Sequence, residues 1–177
     1  PEFMETIETL ASFPQPVVVA VQGRCLGGGF ELALACDIIV AGEGAQFGQP
    51  EIVLGVTAPA ACVLLPRRAG EGRACEILLT GDAITAEQAR EAGIEQRVVA
   101  NDLVHAEAQA IARRMARHSA VALRETKRSI RLAFDLPLAK ALRTTGRIYV
   151  EDLMRTQDAV EGLRAFVDKR KPVWADR

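Results

Sequence analysis

Three consecutive glycines at positions 27–29 join an apolar β-branched run to an apolar helix-compatible run, and this junction constrains the fold most. Residues 17–21 predict a strand, and residues 32–36 predict a helix. Glycine has no Cβ, so a ligand can approach the backbone closely here. The first amides of a helix lack intrahelical acceptors and lie at the positive end of its dipole, so the turn can hold a phosphate, a carboxylate or a developing oxyanion. The alternative, which composition alone favours, is a tight structural turn beside a solvated Glu31.

Length and composition describe one ordinary domain. The chain has 177 residues, a formal net charge of −1 and 25% charged residues, which gives no argument for nucleic acid or for an anionic membrane as a partner. No apolar run approaches the roughly 18 residues that span a bilayer. We therefore expect a cytoplasmic protein without a secretory signal. Residues 1–3, directly before Met4, resemble a vector-derived scar, although they fit native sequence equally well.

Cysteine and histidine usage points away from disulfides and metals. None of the four cysteines has CxxC spacing, and all lie among apolar neighbours, so we expect reduced and mostly buried thiols. The two histidines lie in helical patterns far from the cysteines, so no metal site is expected. These residues are Cys25, Cys36, Cys62, Cys75, His105 and His118.

Strands interleaved with helices come first, and helices follow. Strands are predicted at residues 17–22, 37–41, 45–48 and 96–100, the first of them covered on both faces, and a turning or extended segment at residues 49–51. Thr85 and Gln88 form a capping-box pattern. A helix is predicted from the end of the glycine turn to about residue 36, and further helices at residues 4–12, 60–69, 72–80, 86–92, 102–118, 120–134, 137–154 and 157–168.

Several familiar catalytic patterns are absent from the sequence. There is no GxGxxG, no GxxxxGK[ST] and no GxSxG, and the serines have no nearby histidine. What remains is a backbone anion site with two carboxylates, Glu31 and Glu51, which could divide the roles of acid and base. A solvated loop carboxylate is the alternative for Glu51.

Longer blocks around these residues resemble the crotonase (enoyl-CoA hydratase/isomerase) superfamily over nearly the whole chain. The blocks are PVVVAVQGRCLGGGFELALACD at residues 16–37, AQFGQPEIVLG at 45–55, LTGD at 79–82, AEQA at 86–89, EG at 161–162 and FVDKRKP at 166–172. The resemblance implies an α/β fold: a partial crotonase ββα spiral core at residues 1–100, followed by a helical C-terminal trimerisation region at residues 101–177. A homotrimer or hexamer is expected, since Leu138, Leu142, Tyr149 and Leu153 fall near one face.

The resemblance also implies a site. The Gly28 amide would be one of two oxyanion-hole donors for an acyl-CoA thioester, and Glu31 and Glu51 would be the two catalytic glutamates. Lys169 would reach coenzyme A, often from a neighbouring subunit; a solvated charged end is the alternative. The remaining substrate-binding residues would be Cys25, Leu26, Gly27, Thr57, Ala58 and Pro59. No cofactor is expected, because coenzyme A is part of the substrate.

Two departures from the family pattern bear on these expectations. The second oxyanion donor and much of the coenzyme A surface belong to a segment upstream of Pro16, and only about a dozen residues precede Pro16 here. We expect an isolated chain to lack that donor, which typically costs about 10²–10³ in rate. The loop at residues 56–66 is more apolar than usual and resembles that of cyclic dienoyl-CoA hydratases, which favours a bulky or cyclic acyl group.

Hydration of a 2-enoyl-CoA, as in fatty acid metabolism, is the function that both glutamates favour. Another crotonase reaction, such as isomerisation or cyclic dienoyl-CoA hydration, is the alternative within the class. A truncated, non-catalytic chain that binds coenzyme A or serves in assembly is a second alternative. RNA binding through a basic helical face is a third, although such faces are usually just solvated. That face comprises Arg124, Lys127, Arg128 and Arg131.

Overall fold

The structure, a computed structural model, describes residues 2–177, which form two compact units. The first unit comprises residues 2–13 and 17–112, and the second comprises residues 14–16 and 113–177. The division falls inside the helix at Val104–Met115. The division of domains between residues 100 and 101 stays a prediction.

The first unit alternates short strands with helices. Its strands are β1 (Val18–Val21), β2 (Arg24–Leu26), β3 (Ile38–Gly42), β4 (Gln46–Gly48), β5 (Ile84–Thr85) and β6 (Arg97–Val99). Its helices are α1 (Glu2–Ser12), α2 (Gly28–Ala35), α3 (Pro59–Thr80), α4 (Ala86–Glu91) and α5 (Val104–Met115). Short 3-10 helices occupy Pro50–Leu54 and Asn101–Leu103. This α/β order confirms the predicted fold class.

Two small sheets carry the strands. One has the order β1-β3-β6 with parallel pairing, and the other has the order β2-β4-β5, in which β2 and β4 are parallel and β4 and β5 antiparallel. Cys25 pairs with Phe47 in the register of β2 and β4. This pairing sets the end of β2 beside the end of β4, so the glycine turn lies next to the segment that follows Gly48.

The core of the first unit lies between these sheets and the helices. Phe30 of α2 and Phe47 of β4 are fully buried, with ring centroids 5.3 Å apart. Leu65 and Ile77 of α3 are buried in the same cluster. This tight packing fixes α2, and therefore the glycine turn at its start, against β4.

Several local predictions are confirmed. The Gln88 amide N–H donates to Thr85 Oγ1 (3.2 Å) and the Thr85 amide N–H donates to Gln88 Oε1 (2.9 Å), which completes the capping box. The two predicted helices at residues 60–69 and 72–80 form the two halves of α3, because Gly70 between them has a non-helical conformation with φ 76°. The left-handed region favours glycine at such a break.

Other predictions were wrong. Residues 24–26, expected within the turn, form β2, and β5 was not predicted, because both are held by pairing with β4 rather than by local propensity. The strand β1 is covered on one face only: Val19 and Val21 pack toward the core, whereas Ala20 on the opposite face is exposed.

The turning segment predicted at residues 49–51 is confirmed: Gln49 has a non-helical conformation, and a 3-10 helix begins at Pro50.

The expectation of mostly buried thiols holds for two of the four cysteines. Cys25 and Cys36 are buried, whereas Cys62 and Cys75 are exposed on α3. Apolar neighbours in the sequence do not ensure burial on a helix, because only one face of α3 packs against the core.

The second unit is helical and carries the C-terminal tail. Its helices are α6 (Ala120–Asp135), α7 (Leu138–Arg147) and α8 (Gln157–Val167). The helix predicted at residues 137–154 continues beyond α7 as a π-helical turn, Ile148–Asp152, and a 3-10 turn, Leu153–Arg155. Among residues 2–177, no helix is long and apolar enough to cross a bilayer.

The tail is bound to the ends of α6 and α8. The amide N–H groups of Ala175 and Asp176 donate to the Asp158 carboxylate, which is only 2% exposed. Trp174 Nε1 donates to the Arg117 carbonyl (2.8 Å), and its ring lies against Gly162. The tail therefore holds the first half of α8.

Two of the four cations of the basic face on α6 have partners within the second unit. Lys127 is buried, and its Nζ donates to the Gln15 carbonyl (2.9 Å). Arg128 forms ion pairs with Glu125 (3.0 Å) and Asp152 (2.9 Å). These contacts reduce the free positive charge that the RNA-binding hypothesis requires.

Candidate active site

The glycine turn begins where β2 ends. Gly27 has φ 55° and ψ −130°, which is strained for any residue with a side chain, and its amide N–H donates to the Gly48 carbonyl (3.0 Å). The Gly27 carbonyl accepts the amides of Phe30 (2.9 Å) and Glu31 (3.0 Å). The Gly28 amide is the first of the helix, so no intrahelical acceptor precedes it, and it lies at the positive end of the dipole.

Glu31 lies one turn into α2 and is 4% exposed, so a solvated carboxylate at this position is excluded. Its Oε1 accepts the amide N–H of Ala61 at 2.9 Å. Ala61 is in the first turn of α3, where amides lack intrahelical acceptors, so the carboxylate of α2 caps a second helix. This bond fixes Oε1, and because both oxygens belong to one planar carboxylate, it also restricts the position of Oε2.

Glu51 lies in the 3-10 helix that follows β4 and is half-buried. A Cβ placed on Gly27 would lie 2.7 Å from Glu51 Oε1. This carboxylate therefore occupies space that any larger residue at position 27 would fill. The sequence predicted that Glu31 and Glu51 flank the same turn. Glu31 lies four residues beyond Gly27 in the helix that begins there, and the Glu51 carboxylate lies against Gly27 itself.

Gln49 is a site residue that the sequence analysis missed. It directly follows β4 and is 1% exposed, and its side-chain amide faces the Glu51 carboxylate; with the amide nitrogen assigned to that side, Nε2 donates to Oε2 (2.9 Å) and Oε1 (3.3 Å). This is the amide orientation in which the oxygen does not face the carboxylate. The sequence signal was a polar residue before the Pro50–Glu51 pair, but nothing local indicated that its side chain turns toward Glu51.

The predicted binding residues around the turn differ in accessibility. Cys25 is buried, and burial, with smaller contributions from Cys36 and Glu95, raises the pKa of its thiol to about 11. Leu26 is half-buried. Cys25 is therefore a neutral core thiol at physiological pH rather than a nucleophile.

The predicted binding residues after Gly55 lead into α3. Thr57 is exposed, Ala58 is buried at the N-cap of α3, and Pro59 is the first residue of that helix and exposed. Proline suits a first helical position because its missing N–H would have no partner there. The segment brings the start of α3 to the point where Ala61 binds Glu31.

Lys169 belongs to the second unit, so it is described separately from the turn. It is exposed and has φ 52°, directly after α8. The next residue, Arg170, binds Glu161 through Nη1 (2.6 Å) and Nη2 (2.9 Å). The bond from Arg170, with a further bond from the Val173 amide, lowers the pKa of Glu161 to about 2. Arg170 is thus bonded to α8, whereas Lys169 beside it is exposed, and its role in binding coenzyme A stays a prediction.

Three polar groups lie at the turn. The Gly28 amide has no acceptor within its helix, and the carboxylates of Glu31 and Glu51 face different donors. Hydrogen-bond donors fixed before the reaction stabilise charge that develops on a substrate oxygen. Two carboxyl groups at one site can divide the roles of acid and base. The arrangement is therefore suited to proton transfer next to a carbonyl that becomes anionic.

Comparison with known proteins identifies the family to which the chain belongs. The profile of one family, described as Enoyl-CoA hydratase/isomerase, matches residues 1–177. The chain therefore belongs to the enoyl-CoA hydratase/isomerase family, which confirms the predicted superfamily.

Individual relatives agree with this assignment. The chain is 40% identical over 169 residues to 2,3-dehydroadipyl-CoA hydratase of Escherichia coli, with 95% of this chain and 66% of that protein covered. It is 40% identical over 171 residues to cyclohexa-1,5-dienecarbonyl-CoA hydratase of Thauera aromatica, with 97% and 66% covered. The crystal structure of an enoyl-CoA hydratase from Bacillus anthracis superposes with a TM-score of 0.94 at 37% identity, covering 99% of this chain and 68% of the other. The chain thus spans about two thirds of the length of the curated relatives that it matches.

Proposed function

We propose that this chain carries the catalytic groups of an enoyl-CoA hydratase, a lyase that adds water across the 2,3 double bond of an acyl-CoA thioester. The observation that carries the proposal is that the Glu51 carboxylate lies against Gly27, at the start of the helix that carries Gly28 and Glu31. Membership of the family and the hydratase names of the relatives support it.

The Gly28 amide stabilises the thioester oxygen. Addition at the β-carbon pushes the electron pair of the double bond toward the thioester carbonyl, which becomes an enolate oxygen. A donor fixed at a helix N-terminus needs no reorientation when this charge develops, so it stabilises the transition state more than the ground state.

The two glutamates move the protons. One carboxylate accepts a proton from water as the water oxygen bonds to the β-carbon, and the other carboxyl delivers a proton to the α-carbon. One water is consumed, one C–O and one C–H bond form, and the carbon–carbon π bond is lost. Glu31, anchored to Ala61, and Glu51, anchored to Gln49, hold fixed positions for these transfers.

A second candidate within the same chemistry is hydration of a cyclic dienoyl-CoA. The exposed apolar residue Val56 and the exposed Thr57 in the loop before α3 favour it, as does the relative named for that reaction in Thauera aromatica. Turnover of a linear and of a cyclic enoyl-CoA by the same preparation separates the two: preference for the cyclic thioester establishes this candidate.

The proposed partners are an acyl-CoA thioester and further copies of this chain. Lys169 is proposed to contact coenzyme A, as the family resemblance implies. A trimer or hexamer is supported by the apolar surface of the second unit, where Leu138 is 76% and Leu142 64% exposed. Light scattering at micromolar concentration tests the assembly, and a monomer would contradict it. A cytoplasmic location stays a prediction.

Incorporation of oxygen from ¹⁸O-labelled water tests the reaction itself. Hydration predicts one labelled hydroxyl at the β-carbon of the product, whereas isomerisation predicts proton exchange without label. If the protein binds acyl-CoA in calorimetry but neither reaction occurs, the non-catalytic alternative replaces the proposal.

A further inference from the structure

Glu95 lies between α4 and β6, and its carboxyl is enclosed within the first unit. It is 3% exposed, and neither carboxylate oxygen meets a hydrogen-bond donor in the part of the chain that the structure describes. Such orphaned buried groups are rare in folded proteins, because an unpartnered charge is expensive to bury. We propose that Glu95 is a pH-sensitive switch: residues 93–97 form a closed segment while the carboxyl is protonated, and loss of the proton to water opens this segment without unfolding the rest of the unit. The switch does not depend on the proposed reaction.

The groups around this carboxyl do not stabilise its charge. On α4, Glu87 repels a negative Glu95, and Arg90, which attracts it, is already bonded to Glu87, with 3.0 Å from Arg90 Nε to Glu87 Oε2. Burial is the main cause that raises the pKa of the carboxyl to about 8, and Glu87 adds to it. The remaining charged or titratable groups near residues 93–97 are Glu91 on α4, Cys25 on β2, Cys36 at the end of α2, Arg68 on α3, and Arg97 with its partner Glu107. The carboxyl is therefore largely protonated at neutral pH and loses its proton as the pH rises toward 8.

The backbone on both sides of Glu95 is held by hydrogen bonds that a local opening would break. The Ile94 amide N–H donates to the Ala89 carbonyl (2.9 Å). The Gln96 amide N–H donates to the Ile39 carbonyl (3.1 Å), and Gln96 Oε1 accepts the Ile39 amide N–H (2.8 Å). Because these bonds fix residues 94 and 96, the Glu95 carboxyl reaches water when the segment opens and stays enclosed when it is closed.

The segment lies where a local opening costs least. It leads into β6, a strand of three residues, Arg97–Val99, at one edge of the sheet β1-β3-β6. Gly93 and Arg97, at its two ends, are exposed. Short edge elements with exposed backbone open at a lower free energy than the core. Ionisation of Glu95 lowers this cost further, because the carboxylate is hydrated in the open form alone.

Hydrogen exchange of the Ile94 and Gln96 amides, measured on the full chain between pH 6 and pH 8, reports this opening. If the carboxyl titrates near pH 8 in the closed segment and near its ordinary pKa of 4.5 in the open one, the open fraction rises by about fifty-fold over this range. We therefore expect the protection of both amides, corrected for the intrinsic exchange rate at each pH, to fall at least about tenfold. Low concentrations of urea should hardly change this protection, because a local opening exposes little surface.

Variants and a reference amide assign the effect to Glu95. Glu95→Gln keeps the shape of the side chain and removes its ionisation, so the corrected protection should not change with pH. Glu95→Met removes the ionisation without leaving a buried amide, and it replaces Glu95→Gln if that variant does not fold. Glu91→Gln is the matched control, since Glu91 is an exposed carboxylate at the end of α4, and it should behave as the wild type. The Leu34 amide, in buried α2, should be at least about tenfold better protected at pH 8 and should respond strongly to urea.

The wild type alone already tests the switch, and a fall in its protection that is absent from Glu95→Gln would establish it. Protection of the Ile94 and Gln96 amides that does not change between pH 6 and pH 8 would overturn it, as would an equal fall in Glu95→Gln. Protection at pH 8 that equals that of Leu34, with the same dependence on urea, would show that the unit opens as a whole and would also overturn it. None of these results bears on the proposed hydration, which is measured separately.

Discussion

The buried carboxyl of Glu95 should make the first unit less stable as the pH rises through neutrality. Glu95 is 3% exposed, and within residues 2–177 neither of its carboxylate oxygens has a hydrogen-bond partner. Burial raises its pKa from 4.5 to about 8; the charge of Glu87 adds to this, and that of Arg90 opposes it. Glu95 in turn contributes to the raised pKa values of Cys25 and Arg90.

The sign follows from proton binding. A raised carboxyl pKa means that the folded chain holds this proton more tightly than the unfolded chain, so stability is greatest below about pH 4.5 and falls until the pH passes the folded value near 8. With these two values, linkage gives a loss of about 3 kcal/mol at pH 7, of which about 2 kcal/mol develops between pH 5 and pH 7.

Glu95→Gln tests this reasoning because it keeps the shape and removes the ionisation. Urea unfolding followed by far-UV circular dichroism at several values between pH 5 and pH 8 gives the free energy of unfolding of each protein. The buried amide carries its own cost, so the informative quantity is the change with pH: the variant should gain on the wild type by about 2 kcal/mol from pH 5 to pH 7.

Glu91→Gln is the control, since Glu91 is an exposed carboxylate nearby, at the end of α4. Its difference from the wild type should hardly change with pH. A Glu95→Gln difference that is equally flat between pH 5 and pH 8 would show that Glu95 titrates as a solvated group and would refute the account.

Three further substitutions test local features. Thr85→Ala removes the capping box of α4 and should lower the free energy of unfolding by about 1 kcal/mol in urea. Gly27→Ala should lower kcat at least about tenfold, because the new Cβ would lie 2.7 Å from Glu51 Oε1 and the φ of Gly27 is positive. Gly29→Ala is the control, since a Cβ there meets open space, and it should leave kcat unchanged. Equal effects of the two substitutions would disprove the steric argument. Asp158→Ala removes the acceptor of two tail amides, so deuterium exchange of the last residues should speed up at least tenfold, and unchanged exchange would show that the tail is held elsewhere.

The sequence predicted those parts of the fold that depend on neighbouring residues. The capping box of Thr85 and the break at Gly70 are local conformational choices, and both were correct. The glycine turn was also readable, because a strand, three glycines and a helix in succession allow few arrangements. The short strands β2 and β5 were missed because they exist only through pairing with β4.

The candidate site divides in the same way. Gly28, Glu31 and Glu51 were found because two stretches of sequence carry them in a recognisable pattern. The residues that hold the two carboxylates were not predicted. Ala61 is 30 residues from Glu31 in the sequence, and the contact of Gln49 with Glu51 depends on side-chain rotamers that the sequence does not reveal. The burial of Glu95 could not be predicted either, because it depends on tertiary contacts and not on the neighbouring residues in the sequence.

The central claim is that Glu31 and Glu51 add water to an enoyl thioester that the Gly28 amide polarises. The most direct test is the rate of hydration of a 2-enoyl-CoA by the purified protein and by the Glu31→Gln, Glu51→Gln and double variants, with folding checked by circular dichroism. We expect a fall of at least about 10² in kcat for each single variant and no hydration by the double variant. Full activity in the double variant would contradict it.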